Sequence, residues 1–244
     1  MPYRRLPNTD SARLRALKAA AIKGKELPPF KMAFSQSTFT KVELFINGYE
    51  KAMANYKAAY NKQVERNRSY QIASKKARIY LSHFIQVLNM AITRGELPEK
   101  VRTLYGMDID EKKLPSLHTD REILEWGKKI IQGESDRISK GQPPITNPTI
   151  AVVKVRYENF VEAYNHQRIL QQNTQRSQAE LEELRKEANH IILNIWNEVE
   201  DTFKDKPDHE RRENAQEYGV VYVYRKNELK GLQMLERGLV DLDV

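Results

Sequence analysis

The pair of residues with the most suggestive chemistry is Glu187 and His190, an ExxH spacing in the second half of the chain. On a helix, positions three apart share a face, and two such pairs with two further glutamates hold the metals of carboxylate bundles. Here the second pair is missing: the matching position offers Tyr80 three residues before His83. Glu158 and Glu162 could donate from a neighbouring helix but suit an ordinary surface equally well. The expectation is a surface Glu–His pair and no metal site. Glu198, Glu200 and Asp201 lie too close in sequence to converge as an acid–base pair and read as an acidic helix face. There is no GxSxG elbow or SxxK pair and no glycine-rich phosphate loop. With no cysteine in 244 residues, thiolate zinc sites, disulfides, iron–sulfur clusters and cysteine nucleophiles are excluded. The expectation is a protein that is not an enzyme, with no catalytic residue and no cofactor.

Two residue classes remain. Tyrosine is abundant, 12 against 7 Phe and 2 Trp, and Tyr49, Tyr56, Tyr80, Tyr157 and Tyr164 fall on apolar seams. A buried tyrosine needs a partner for its hydroxyl. Asn61, Gln63, Asn165 and Gln167 lie nearby, so a polar layer that fixes helix register is expected, with a ligand pocket as the other reading. The second class is basic. Arg4, Arg5, Arg13 and Arg15 form an N-terminal arm, and Arg66, Arg68, Lys75 and Lys76 cluster in the first long helical segment. These eight are the candidate binding residues. Residues 1–106 carry a net charge of +13 and the remainder −5, within a total of +8. Such asymmetry points to an acidic protein partner for the front half, or to attraction between the halves or between copies of the chain. Nucleic acid is the alternative partner, although no helix-turn-helix cadence, RNP string, zinc finger or KH loop is present.

These residues are positioned by helices. Tyr60-Asn61-Lys62-Gln63 matches Tyr164-Asn165-His166-Gln167, 104 positions on. Leu88-Asn89-Met90 matches Leu193-Asn194-Ile195, and Tyr105-Gly106 matches Tyr218-Gly219 in the same order. The chain reads as two copies of one unit. In the first, Val42, Phe45, Tyr49, Ala52, Tyr56 and Ala59 are spaced by threes and fours, as in a bundle seam. The pattern resumes at Ala73, Ala77, Tyr80, Phe84, Val87 and Ala91. The second copy gives Ile150, Val153, Tyr157, Phe160 and Tyr164, then Leu181, Leu184, Ala188, Ile191, Ile195 and Val199.

Between these runs the seam turns polar, at Gln63 and Arg66 and again at Gln167, Gln171 and Thr174. A turn near Asn67-Arg68-Ser69, and another before the capping-box spacing Ser177 to Glu180, would make each copy a helical hairpin. The unbroken phase through Arg66 and Tyr70, and the absence of Gly or Pro, favour continuous helices instead. A helix over 38–93 would extend about 80 Å at about 1.5 Å per residue and would need a partner to cover its seam. Hairpins are therefore the expectation: an all-α protein of duplicated helical hairpins with a four-helix-bundle-like architecture.

Five segments follow: 1–37, a basic arm with a short helix over 11–23 capped by Ser11 or Asp10; 38–107, the first copy; 108–148, a connector; 149–220, the second copy; and 221–244, a strand and tail. The connector holds one helix, opened by the capping box Thr119 to Glu122, and then a proline-rich loop. Val220 to Tyr224 is β-branched and aromatic, with Met107 to Asp110 as its expected pairing partner. No apolar run approaches the length of about 20 residues that a membrane span requires, and Met1 to Lys25 lacks the apolar core of a secretory signal, so a cytoplasmic protein that does not engage membranes is expected. The opening Pro2-Tyr3-Arg4-Arg5-Leu6-Pro7-Asn8-Thr9-Asp10, with Ala12 to Lys18 after it, resembles the start of an uncharacterised all-helical protein family of Bacteroidetes. That resemblance covers about the first 18 residues and implies a helical fold but no activity or site residue.

Overall fold

The computed structural model describes residues 3–109 and 113–224. The chain is all-α with a short strand pair, as the periodicity predicts. In chain order the elements are β1 (Tyr3–Arg4), α1 (Asp10–Glu26), a 3-10 turn (Pro29–Lys31), α2 (Gln36–Thr93), a 3-10 segment (Glu99–Tyr105), α3 (Asp120–Ser139), α4 (Ile150–Thr202), α5 (Asp208–Glu217) and β2 (Tyr222–Val223). No helix among the described residues is long and apolar enough to cross a membrane.

The described residues form two compact units, 3–58 with 175–224 and the described part of 59–174. The unit boundaries fall inside α2 and α4. The expected turns near Asn67–Ser69 and before Ser177 do not form, because α2 is helical over 58 residues and α4 over 53. Nothing at either junction breaks a helix: there is no Gly or Pro, and the three–four phase passes through without a slip. The polar seam positions mark the passage from one core to the next, where nearly every residue from Asn61 to Ser69 is exposed.

In the first unit, α1 begins at Thr9, whose Oγ1 accepts the Ala12 N–H at 3.2 Å. The cap is therefore the residue before Asp10, since a cap keeps extended backbone while its side chain turns back onto the first turn. Leu17 and Ala20 of α1 pack with Val42, Phe45, Tyr49 and Ala52 of α2 and with Leu181, Ala188, Ile192, Ile195, Trp196 and Val199 of α4. Ala215, Tyr218 and Val220 complete this core. The strand expected near residue 222 exists, but its partner is β1: Tyr3 pairs with Val223 and Arg4 with Tyr222, antiparallel. Met107 to Ile109 is not a strand, and Asp110 lies outside the described residues.

In the second unit, α3 opens with the expected capping box, Thr119 and Glu122 exchanging both bonds. Ala77, Leu81, Phe84, Ile85, Leu88 and Ile92 of α2 meet Ile123 and Ile130 of α3, Val153, Tyr157 and Phe160 of α4, and Val101 and Tyr105 of the 3-10 segment. This face of α2 is wider than the single expected seam, because α2 is covered here by α3 and α4 together. In both units a buried tyrosine, Tyr105 or Tyr218, precedes a glycine at positive φ: Gly106 at 67° and Gly219 at 85°.

Candidate binding surface

Because α2 packs Ala77, Leu81, Phe84 and Leu88 inward in the second unit, the helical period turns another series outward. That series is Arg68, Ile72, Lys75, Ile79, His83, Gln86 and Met90, at spacings of three and four. Its apolar members stand in solvent: Ile72 is 49%, Ile79 52% and Met90 48% exposed. Lys76 lies beside it. Between residues 59 and 93, α2 carries six basic side chains and one acid, Glu65. Arg66, Arg68, Lys75 and Lys76 are all exposed. None of the four forms an ion pair or hydrogen bond with a described residue, in contrast to Arg4 and Arg13 of the first unit.

There, the arm is used internally. Arg4 donates to Asn197 Oδ1 at 2.8 Å and lies 3.3 Å from Glu200. Arg13 donates to Asn189 Oδ1 at 2.8 Å and to Asp10 at 3.3 Å. Lys23 pairs with Glu217 at 3.0 Å. Arg5 and Arg15 are exposed beside a shallow cavity of about 480 Å³ whose wall includes Leu6, Pro7 and Val221. The eight candidate residues thus fall four to a unit, and only the second four are all unengaged and exposed.

Much of the buried polar chemistry was not foreseen from sequence. Two of the seam tyrosines, Tyr49 and Tyr157, bond to a carboxylate and to a carbonyl rather than to the nearby amides. Tyr49 donates to Asp10 at 2.9 Å, and Arg185 clamps Asp10 through two bonds of 2.7 Å. Arg185 first, then Tyr49, hold the Asp10 carboxyl below its ordinary range despite partial burial, while burial and the Asp10 charge push the Tyr49 phenol up to about 12. Tyr70 donates to Asp120, and Tyr222 donates to Glu200 at 2.5 Å. Tyr157 donates to the Leu124 carbonyl at 3.0 Å. In the second unit Glu134 and Arg137 are fully buried and joined by bonds of 2.8 and 2.9 Å. Tyr105 and the Ile145 N–H also donate to Glu134. Burial alone would raise the Glu134 carboxyl, but these donors outweigh it and hold it below the ordinary range. One sequence signal did mark part of this chemistry: Thr9-Asp10 and Thr119-Asp120 both place an acid just after a helix cap, and each acid accepts a tyrosine.

His190 is exposed and sits 3.3 Å from Asn194. Among the described residues no three His, Asp or Glu side chains gather where they could hold a metal ion. The α2 face therefore offers charge neutralisation and apolar contact. No family model, curated protein or solved structure matches the chain.

Proposed function

We propose that the protein is a non-catalytic helical scaffold of the cytoplasm that docks an acidic, amphipathic partner on the outward face of α2 in its second unit. The observation carrying this reading is that Ile72 and Ile79 alternate with unpaired Arg68 and Lys75 on one solvent-facing stripe. Exposed apolar side chains spaced along a helix suit a second helix laid against them, and flanking cations select an acidic one. The charge distribution along the sequence supports the same choice: residues 59–174 hold nineteen basic and thirteen acidic side chains, whereas the rest of the sequence is nearly balanced, at twenty-two and twenty. The acidic partner is another protein, with a second copy of this chain as the nearest variant. The parallel pairs Thr9-Asp10 with Thr119-Asp120 and Tyr105-Gly106 with Tyr218-Gly219 support a duplicated origin, and the N-terminal resemblance supports a helical family.

Nucleic acid is the second reading, favoured by Lys62, Arg66, Arg68, Lys75, Lys76 and Arg78 standing against one acid. The two readings separate at the isoleucines, because phosphate contacts need only the cations. The test titrates the protein with a helical peptide carrying leucine on one face and glutamate beside it, and in parallel with single- and double-stranded oligonucleotides. Alanine at Arg68, Lys75 and Lys76 weakens peptide binding without moving the melting temperature, since all three are exposed. Gln at Ile72 and Ile79 removes peptide binding. Oligonucleotide binding that is tight, salt-sensitive and indifferent to I72Q/I79Q, with no peptide binding, replaces the proposal with the second reading.

A further inference from the structure

The second unit carries a cleft of about 730 Å³ between α3, the end of the 3-10 segment and α4. Two glycines of α3 shape it. A Cβ at Gly127 would collide with the Tyr157 ring, and one at Gly133 would lie 2.6 Å from both the Leu104 carbonyl oxygen and the Tyr105 ring. Each glycine is a notch that seats one tyrosine against α3. Both rings are buried beneath the cleft and support its base, and Leu104 of the 3-10 segment and Ile131 of α3 present its partly exposed apolar surface. Both supporting rings are fixed in place: Tyr157 donates to the Leu124 carbonyl, and Tyr105 is locked into the buried Glu134–Arg137 pair. A cleft with a fixed apolar base and charged groups at its rim has the construction of a small-molecule site, and its volume falls in the usual range of about 300–1,000 Å³.

The charged groups at its rim are three lysines and one acid, Glu158. Lys129 is engaged with Glu125 at 2.7 Å and lies over the Trp126 ring. Lys154 approaches Glu158 only to 3.8 Å. Lys128 is exposed and makes no ion pair with a described residue. One free and one loosely held ammonium thus face a cleft lined by Leu104, Tyr105, Ile131 and Tyr157.

We propose that this cleft binds a free amphipathic carboxylate, its apolar body on Leu104 and Ile131 above the buried Tyr105 and Tyr157 rings and its anionic end on Lys128 and Lys154. The site is distinct from the α2 docking face and does not depend on it.

The test is calorimetric titration of the whole chain with dodecanoate held below its micelle-forming concentration. One saturable site is expected. K128Q/K154Q lowers affinity by at least about tenfold with an unchanged melting temperature, since both side chains are exposed. Dodecanol, the same body without charge, binds more weakly by a similar factor. Ile131→Asp removes binding by placing a carboxylate in the floor; if it also impairs folding, K128Q/K154Q carries the test alone. No saturable binding up to about 1 mM, or binding that K128Q/K154Q leaves unchanged, overturns the assignment.

Discussion

Gly133 is the position at which one added methyl group tells most about the second unit. The new Cβ of Gly133→Ala would stand 2.6 Å from the Leu104 oxygen, 2.6 Å from Tyr105 Cδ1 and 3.0 Å from the Leu104 carbonyl carbon. Favourable heavy-atom contacts lie near 3.5–4.0 Å, so the 3-10 segment must retreat by about 1 Å. Two of the three atoms are backbone and cannot rotate away. Overpacking of this kind costs about 1–3 kcal/mol. The retreat also draws the Tyr105 hydroxyl away from the Glu134 carboxylate, a charge-assisted bond that contributes about 1.5–3 kcal/mol. Against these, alanine gains about 1 kcal/mol of helix propensity. The net expectation is a loss of about 1.5–5 kcal/mol. Gly48 provides the control, because it lies in α2 with nothing within 4 Å of its added Cβ. Gly48→Ala should stabilise by about 0.5–1 kcal/mol. In a chain of this size 1 kcal/mol moves the midpoint by about 2–4 °C. Thermal and urea melts followed by circular dichroism should therefore move in opposite directions for the two variants. A Gly133→Ala protein as stable as the parent would refute the argument that this glycine is required by close approach.

Three further outcomes follow from the same structure. Glu134→Gln should cost about 3–5 kcal/mol by leaving Arg137 buried without its counter-charge, and E134L/R137M should lose less than that single change, as urea melts will show. The Glu134 carboxyl is held below its ordinary value of 4.5, so the unfolded chain takes up that proton first as pH falls. Its contribution is complete above about pH 4.5 and is lost on acidification through the lower folded value; melts from neutral to acid pH should show this fall, shallower in Glu134→Gln. Thr119→Ala removes the α3 capping box and should cost about 1 kcal/mol, measurable by the same melts.

What could be read from the chain depended on the range of each interaction. The seams through Val42, Phe45, Tyr49 and Ala52 and the capping box at Thr119 are local patterns, and the fold keeps them. The turns expected near residues 67–69 and before Ser177 came from polar residues interrupting a seam. In the structure those residues are the stretch between two cores, a consequence of how the distant halves of α2 and α4 are shared out. The partner of Tyr222–Val223 was out of reach because a two-residue strand at Tyr3–Arg4 has no period to detect. Among the candidate site residues, the cationic type of Arg66, Arg68, Lys75 and Lys76 was legible. Their lack of partners was not, since an ion pair depends on which acids the fold brings within reach, as it brings Glu200 and Asp10 to Arg4 and Arg13. The cleft of α3 was not legible at all: it follows from which rings happen to lie against Gly127 and Gly133.

The docking face is tested most directly by isoleucine methyl resonances. Ile72 and Ile79 point outward from α2, while Ile85 and Ile92 on the same helix are buried. On adding the acidic amphipathic peptide, the account predicts shifts at Ile72 and Ile79 with Ile85 and Ile92 unmoved. Shifts confined to other isoleucines, or none at saturating peptide, would contradict it.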